Sequence, residues 1–578
     1  MSTTVVTAPT FKAQTKSELR VRRWLGITLP LLVGIIVSLP LVLLLINSFN
    51  SAIPGREAVY GLQNWAMAFS DTGTISALWN SIALGGLRTL ISLPLAFGLA
   101  WLIARSDLPG RTGLELLCWI GIFLPHLPLT FGWVLLLDPK FGLVNEALKQ
   151  LPFVENGPFN IYSFWGIIWV HLASTGVYYK VVLLLPALRR VGASLEEAAR
   201  VCGANQFMTT LRVTMPILAP AALGIVILSF VRSLEVFEVE LLLGKPAGIQ
   251  VYSTRIWDLV REQPPKFGEA TALGFVFLVT LIGLAAAYQW YIKGRTFTTV
   301  TGQGFSSTPV RLGKWKWPAV AICYGFFAIS LAAPLVFLVL GSFMRRYGFF
   351  NIQNAYTLAH WQNLFSDPVF FGSVRNSLII AVGVGLGSVI IYSLVAYAIV
   401  RNKSKATQAT DLLVWVPWAV PGILMSLGLL WLFLGTPLRG LLYGTVTGII
   451  VAMIIKDSPV ATLFFKAGIM QIGAELEQSA RVCGAGWLTS YRKVLLPLLA
   501  PTAVTVGLLA FLSSIRDIGT TALLYSAQSR PLSILMLEYS FAGEMERGTA
   551  IGVLVTLFVL LVTLGARALG FRLARERT

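Results

Sequence analysis

Ionisable residues lie inside several strongly apolar segments of the chain, where a charge is costly and commonly marks a function, and four of them are the leading candidates. They are Glu235 and Glu238 in one segment, and Arg516 and Asp517 in a later one. If the first segment is helical, a spacing of three residues places its two carboxylates on one face. Carboxylate oxygens suit hard cations. The pattern predicts either a cation pathway lined by Glu235, Glu238 and Asp517, or an internal ion pair that latches a gate.

Two polar stretches interrupt the apolar chain and have closely similar sequences. Ser194–Pro220 reads SLEEAARVCGANQFMTTLRVTMPILAP, and Glu475–Pro501 reads ELEQSARVCGAGWLTSYRKVLLPLLAP. A constant spacing of 281 positions relates these two polar islands, and the segment ARVCGA is identical in both. Loops diverge readily between related sequences. The identity therefore indicates that both polar islands serve the same purpose.

Each polar island predicts a short helix, a turn and a second short helix. Ser194 is a suitable helix N-cap with Glu197 three residues later, and Glu475 opens the second copy with weaker capping residues. Gly203 and Gly484 suit the left-handed conformation that ends a helix. Two equivalent surface helices suggest a partner with two equivalent sockets, and hence a symmetric dimer.

The rest of the chain must hold these residues in a membrane. Of its 578 residues, 56% are apolar and 12% are charged, about half the charged fraction of soluble domains. Apolar runs of about 20 residues recur, and as helices they would cross a bilayer core of roughly 30 Å. The runs are continuous rather than alternating, which excludes barrel strands. The composition predicts an all-α polytopic membrane protein.

Twelve spans are predicted, in two homologous halves of six. They lie near 24–48, 76–104, 114–137, 161–188, 216–243 and 270–292, then 318–342, 372–400, 410–435, 443–469, 497–524 and 547–570. The predicted organisation is a tail (1–23), a first half (24–292), a linker (293–317), a second half (318–570) and a tail (571–578). Six spans per half give parallel repeats with pseudo-two-fold symmetry. The distribution of Lys and Arg places both termini in the cytoplasm, and the N-terminus does not have the pattern of a cleavable signal peptide.

The repeat also suggests which intramembrane charges could meet. Glu235 aligns with Arg516 at the spacing of 281 positions, so homologous helices would bring opposite charges to a similar depth. His126 and His171 stand alone in the sequence and are expected to be satisfied histidines rather than ligands. Lys180 is expected near a span end, where its amine reaches water.

Several other functions are not predicted. The net charge of +19 comes from short basic patches between apolar runs, which does not indicate nucleic-acid binding. The sequence has no GxxxxGK[ST] phosphate-binding loop, so the chain is expected to bind no ATP. Neither a nucleophile–base set nor a metal-ligand cluster indicates an enzyme. The four cysteines are expected to be free thiols: Cys118, Cys202, Cys323 and Cys483.

The polar islands resemble the EAA loop of ABC importer permeases, whose pattern is Glu-Ala-Ala, three residues, Gly, nine residues, an aliphatic residue, one residue and Leu-Pro. At these positions the first copy reads Glu197, Ala198, Ala199, Gly203, Val213, Met215 and Pro216, and the second reads Gln478, Ser479, Ala480, Gly484, Val494, Leu496 and Pro497. Arg200 and Arg481 follow the first three positions in each copy. The departures are Gln478 and Ser479 for Glu and Ala, and Met215 for Leu.

Two permease halves in one chain are similar to the ferric-iron permeases, with thiamine and aminoethylphosphonate permeases as relatives. Residues 230–257 most resemble the ferric-iron branch. The resemblance implies a type I importer permease in a bacterial inner membrane. A periplasmic or lipoprotein binding protein would deliver ferric iron, and thiamine, aminoethylphosphonate or a polyamine are alternative solutes.

The resemblance also implies how the import is powered. Two copies of a cytoplasmic ATPase would use ATP and Mg²⁺ and hold the EAA helices in their grooves, while this chain would bind no cofactor itself. An ion-coupled secondary transporter with two parallel repeats is the alternative from another class. It would leave the paired polar islands unexplained.

Overall fold

The computed structural model describes residues 24–52, 56–190, 193–292, 309–402, 404–437 and 439–575. The regular secondary structure in these ranges is helical. They contain three isolated β-bridges and no β-strand. The predicted tail 1–23, residues 293–308 of the predicted linker and residues 576–578 of the second tail lie outside the described residues. The predicted all-α fold class is confirmed.

Eight helices in the described ranges are long and apolar enough to cross a membrane. They are Gly26–Ser48, Thr72–Arg105, Phe164–Arg190, Thr210–Leu234, Gly313–Phe343, Pro368–Arg401, Val446–Met470 and Met545–Ala568. Three interrupted pairs raise the number to eleven: Arg111–Phe123 with His126–Leu137, Lys405–Trp418 with Gly422–Leu434, and Trp487–Leu498 with Ala500–Arg516. The predicted span 270–292 corresponds to the helix Phe267–Ile292, which is not among these eleven. The number of twelve spans is therefore not confirmed as such.

The predicted span 114–137 is not one straight helix. Its two parts, Arg111–Phe123 and His126–Leu137, are bent by 101°. Pro125 stands at the break with extended backbone angles, because proline cannot donate a backbone hydrogen bond to continue the first helix. The break leaves carbonyl groups at the end of the first part without helical partners.

Apolar side chains are exposed along the spanning helices, as expected for surfaces that face lipid. Leu90, Ile322 and Leu386 are each at least 60% exposed. A water-soluble protein rarely presents this much contiguous apolar surface. The exposure supports the assignment of these helices to a membrane.

Two compact units make up the described part of the chain. Residues within 24–40, 382–418 and 453–511 form the smaller unit, and those within 41–381, 419–452 and 512–578 form the larger one. The units do not follow the two predicted halves, which remain a prediction from the sequence repeat. Within the larger unit, the long helix Thr72–Arg105 packs chiefly against Val177–Arg190.

The internal repeat is visible in hydrogen bonds of the larger unit. The backbone N–H of Tyr252 donates to Ser81 Oγ at 2.8 Å, and that of Leu532 donates to Ser377 Oγ at 2.7 Å. Both serines are buried. The same contact therefore forms in both halves of the sequence, because homologous residues satisfy homologous buried backbone groups.

The segment that precedes the predicted second half is attached to the loop after Thr72–Arg105. Val310 N–H donates to Arg105 O at 2.8 Å, and Leu312 N–H donates to Asp107 Oδ1 at 2.9 Å. Lys316 Nζ lies 3.2 Å from Asp107 Oδ2. These contacts fix where the predicted linker ends.

Candidate functional site

The first helix of each polar island is present. These two island helices are Ala193–Val201 in the larger unit and Ala474–Val482 in the smaller one. The first begins before Ser194, so Ser194 is not the N-cap and that prediction is wrong. The second is preceded by Gly473, which offers no side-chain cap.

The predicted second short helix does not stand apart in the first island. Helical structure there runs from Gln206 through Leu234 without a break, so it forms the beginning of the next span. In the second island the corresponding helix begins at Trp487 and is interrupted at Leu499. Each island helix is therefore followed, after a turn, by a helix that continues toward a span.

Both island helices end at a glycine in the left-handed conformation, as predicted. The φ angle is +86° at Gly203 and +83° at Gly484. Gly203 N–H donates to Arg200 O at 2.9 Å, and Ala204 N–H donates to Ala199 O at 3.0 Å. The second copy makes the same two bonds at the same distances. This is the Schellman arrangement, which satisfies the last carbonyls of the helix and fixes its end.

A buried carboxylate anchors the first island helix to a membrane span. Glu196 is 2% exposed and forms an ion pair with Arg105, the last residue of Thr72–Arg105, which is 3% exposed. Thr214 Oγ1 donates to Glu196 Oε1 at 2.8 Å. Because both partners are buried, the pair is poorly screened by water and gives the helix one defined position.

The second island helix is anchored in the same way. Glu477 Oε1 lies 2.8 Å from Arg401 Nε, and Arg401 ends the helix Pro368–Arg401. Tyr397 OH donates to Glu477 Oε2 at 2.9 Å, and Arg401 Nη2 donates to Ile472 O at 2.8 Å. Arg105 and Arg401 are 296 positions apart, the spacing that also relates Ser81 to Ser377. The two anchors are therefore homologous.

These anchors were not predicted from the sequence. Glu197 and Gln478, the predicted docking residues, are exposed, whereas the anchoring residues Glu196 and Glu477 are buried. Consecutive residues of a helix point about 100° apart, so one of two adjacent polar residues can face inward while the other faces out. A signal was present: Glu196 and Glu477 are identical in the two copies, whereas Glu197 is replaced by Gln478.

The outward face of each island helix combines small, polar and apolar side chains. Val201 is 89% exposed and its counterpart Val482 is 86% exposed. The predicted docking residues Glu197, Ala198, Arg200, Gly203, Gln478, Ser479, Arg481 and Gly484 are exposed, while Ala199 and Ala480 are half-buried. Exposed apolar residues at equivalent places, rimmed by polar ones, are typical of a surface that contacts another protein.

The two predicted pathway carboxylates of the first half do not share a helical face. The helix Met215–Leu234 ends directly before Glu235, and Glu238 follows an irregular segment. The assumption of one continuous helix is therefore wrong. Glu235 Oε2 lies 2.8 Å from Arg232 Nη1. A role for Glu235 and Glu238 in a pathway stays a prediction.

Arg516 and Asp517, the two predicted pathway residues of the second half, each form hydrogen bonds in the structure. Arg516 Nη1 donates to Ile122 O at 2.7 Å, at the end of the broken helix Arg111–Phe123. Asp517 Oδ1 accepts from Thr520 N–H at 2.8 Å. Both contacts satisfy backbone groups where a helix ends. Whether Arg516 and Asp517 also meet a solute stays a prediction.

His126 and His171, which stand alone in the sequence, lie close together in the structure. The rings of His126 and His171 have centroids 6.4 Å apart. His171 Nε2 lies 2.8 Å from Glu240 Oε1. Lys180 is 3% exposed and donates to Gly176 O at 2.9 Å, so it does not reach water at a span end. These buried groups form a cluster that the sequence did not predict.

The free thiols are confirmed. Cys202 and Cys483, within the identical ARVCGA segments, are exposed, while Cys118 and Cys323 are buried. Within the described ranges, no group of three or more His, Cys, Asp or Glu side chains is placed to hold a metal ion.

A polytopic helical protein with two anchored surface helices at homologous positions has the architecture of a transporter's membrane subunit. The comparisons with known proteins agree with this class. Residues 383–575 match the family described as "Binding-protein-dependent transport system inner membrane component". These residues belong to that family, and together with the curated relatives of the longer chain they support a multi-pass inner-membrane permease of the ABC importer class.

Curated relatives cover most of the chain. A probable ABC transporter permease, y4fN of Sinorhizobium fredii, is 26% identical over 520 residues, 87% of this chain and 88% of that protein. The ferric transport system permease protein FbpB of Actinobacillus pleuropneumoniae is 24% identical over 500 residues, 85% of this chain and 70% of that protein. The molybdenum transport system permease ModB of Escherichia coli is 28% identical over 27% of this chain and 66% of its own length.

A solved structure is also similar. The bacterial alginate ABC transporter in complex with its periplasmic protein includes a chain that is 20% identical. The match covers 45% of this chain and 96% of that chain, with a TM-score of 0.37.

Proposed function

We propose that this chain forms the solute pathway of an ATP-driven importer, with each island helix held by one copy of a cytoplasmic ATPase. The observation that carries the proposal is the pair of homologous, outward-facing helices with the same left-handed glycine end and the same buried anchor. The ATPases would bind ATP and Mg²⁺, and their dimerisation would pull on both helices. The ion pairs of the buried carboxylates Glu196 and Glu477 with Arg105 and Arg401 would pass that movement to the spans.

The proposal also sets the orientation of the chain. If the ATPases are cytoplasmic, both island helices must face the cytoplasm, and with an even number of spans both termini face it too. The positive charge of the segments next to the islands supports this orientation. On the other side of the membrane, a periplasmic or lipoprotein binding protein would deliver the solute.

Ferric iron is the solute we favour. The support comes from relatives named as ferric transport permeases, which match 79% or more of this chain in three cases. Molybdate is a second candidate, because the molybdenum permease is similar over a shorter region. Thiamine, aminoethylphosphonate and polyamines remain the further alternatives suggested by the sequence resemblance.

Reconstituted uptake tests the proposal. The chain, its ATPase and its binding protein in liposomes should import radioactive ferric iron only with ATP, and unlabelled ferric iron should compete better than molybdate or thiamine. Uptake that persists without an ATPase when a proton or sodium gradient is applied would identify an ion-coupled secondary transporter and refute the proposal. ATP-dependent uptake of molybdate alone would keep the importer and change its solute.

A further inference from the structure

A group of buried ionisable side chains in the larger unit lies outside the two islands. Glu240 is 3% exposed, and its Oε1 atom lies 2.8 Å from His171 Nε2 and 3.7 Å from Arg88 Nη1. Its other oxygen, Oε2, is buried and has no hydrogen-bond partner. An unsatisfied carboxylate oxygen in a protein interior is costly and calls for an explanation.

A second unsatisfied atom lies nearby. His126 begins the helix that follows the 101° break, and its Nε2 atom is 3.3 Å from Thr175 Oγ1. Its Nδ1 atom is buried and has no hydrogen-bond partner. The cluster therefore has one unused carboxylate oxygen and one unused imidazole nitrogen, with a helix N-terminus beside the latter.

Backbone irregularities surround the cluster. Besides the break at Pro125, Ser174 has non-helical angles (φ −102°, ψ −124°) inside the turn Leu172–Gly176. Lys180 Nζ donates to Gly176 O in that turn. Broken helices at membrane depth are tolerated where they line a site or are buried in protein, and they commonly mark solute sites in transporters.

The sequence repeat indicates that the architecture shared by the two predicted halves does not require these charges. None of the five aligned positions in the second half is ionisable. At a spacing of 281 positions His171, Lys180 and Glu240 align with Ala452, Ala461 and Thr521. Arg88 aligns with Val384 at the spacing of 296, and His126 aligns with Trp418 at the spacing of 292 that relates Pro125 to Pro417. Buried ionic groups are often no more stabilising than apolar residues of similar volume. Their presence in one half alone indicates a task that only this half performs.

The balance of charge indicates the chemistry of the ligand. Arg88 and Lys180 are both buried, and Glu240 is the carboxylate that lies 3.7 Å from Arg88. A bare cation would add repulsion between like charges, whereas an anion would relieve it. The unused Oε2 of Glu240 is an acceptor, so the ligand must also bring a hydrogen-bond donor.

We propose that Arg88, His126 and Glu240 form a solute site, confined to the first half, that binds an oxyanion carrying a hydroxyl group. Arg88 and His126 would contact the anionic oxygens, and Glu240 Oε2 would accept the hydroxyl proton. The inference rests on the proposed function as a solute pathway and deepens it. It implies that the solute crosses as an oxyanion or together with one, since ferric iron is a hard cation that takes oxygen ligands.

Inorganic phosphate is the probe, because at neutral pH it keeps a hydroxyl group, and sulfate is its partner without one. We expect phosphate to raise the Tm of the purified full-length chain in a saturable manner, and sulfate to do so much less. Arg88→Gln and Glu240→Gln should each weaken phosphate binding roughly ten- to hundredfold, as expected for a lost charge-assisted hydrogen bond. Ser342→Ala is the matched control, since its buried hydroxyl donates to Val339 O of its own helix and not to a residue of the site.

Three results would overturn the site: no effect of phosphate on the wild-type chain, equal effects of phosphate and sulfate, or unchanged binding in both variants. The measurement needs neither ATPase nor binding protein. Failure of this site is therefore distinguishable from failure of the proposed function, which is tested by ATP-dependent uptake.

Discussion

Arg105 and Glu196 form a buried ion pair that joins the end of a membrane-spanning helix to the exposed island helix. Arg401 and Glu477 repeat the relationship in the smaller unit. A force applied to either island helix thus reaches a span through a short, poorly screened polar contact as well as through the chain. A partner would contact exposed residues such as Glu197 and Gln478. The connection to the spans is made by different residues, the buried Glu196 and Glu477.

Removing one member of the anchor should destabilise the protein. Arg105→Gln leaves Glu196 buried without its cation, and we expect the free energy of unfolding to fall by about 3–5 kcal/mol. Thermal unfolding in detergent measures the change as a lower Tm. The double variant Arg105→Gln/Glu196→Gln should recover part of the loss, because no unpaired charge remains.

An exposed ion pair provides the matched control. Arg189 and Glu115 are 2.6 Å apart, with Arg189 exposed and Glu115 half-buried, so Arg189→Gln should change the free energy of unfolding by about 1 kcal/mol or less. If Arg105→Gln and Arg189→Gln lowered the free energy of unfolding equally, burial would not make the Arg105–Glu196 pair more stabilising than an exposed pair.

The left-handed glycines should be sensitive to substitution for a reason other than space. A Cβ atom at Gly203 or Gly484 would meet no atom within 4 Å. The positive φ angle is nevertheless unfavourable by about 1–2 kcal/mol for any residue with a β-carbon. In the assembled importer, Gly203→Val/Gly484→Val should let ATP hydrolysis continue while uptake falls. Gly486→Val is the control, because Gly486 has open surroundings and an ordinary φ of −67°. Normal uptake in the double variant would contradict the role given to the island helices.

The exposed thiols report the side of the membrane and the docking of a partner. Cys202 and Cys483 should react with a membrane-impermeant maleimide in inside-out vesicles, while the buried Cys118 and Cys323 stay unmodified. Bound ATPase should protect both exposed thiols, and mass spectrometry of tryptic peptides measures each site separately. Labelling of either thiol in right-side-out vesicles would reverse the proposed orientation, and protection of one alone would show that the two helices are not held equally.

Acid should loosen the contact between Asp107 and the segment before the second half. The backbone hydrogen bond from Leu312, helped by Lys316, lowers the pKa of Asp107 below its ordinary value of 3.8. Because the pKa is lowered by folding, the stabilisation is present above about pH 4 and is lost as the pH falls through the folded-state pKa. Asp107→Asn should lower the Tm slightly at pH 6 and converge with the wild type as the pH falls below the folded-state pKa of Asp107. A difference that is constant with pH would rule out this titration.

Much of the fold could be predicted from the sequence, because membrane insertion is decided by local properties. The length and hydropathy of each apolar run are sufficient to predict a spanning helix, and the identity of the two ARVCGA segments is sufficient to predict a repeated surface helix. The glycine ends at Gly203 and Gly484 were also predictable, since few other residues accept a positive φ. These features depend on backbone preferences and on the apolar character of neighbouring residues, so a short stretch of sequence is enough to predict them.

The tertiary structure decided which polar residue of each adjacent pair faces the protein. Glu197 was predicted as the functional residue rather than Glu196, because the sequence places both on the same exposed helix. Glu196 faces the protein interior because Arg105, on another helix, lies there and forms an ion pair with it. The same holds for the cluster of Arg88, His171 and Glu240, whose members come from three separate helical segments. The sequence by itself determined where helices and their ends form, because those depend on neighbours along the chain. Which charges meet in the interior depends on how distant helices pack, and no local pattern records that.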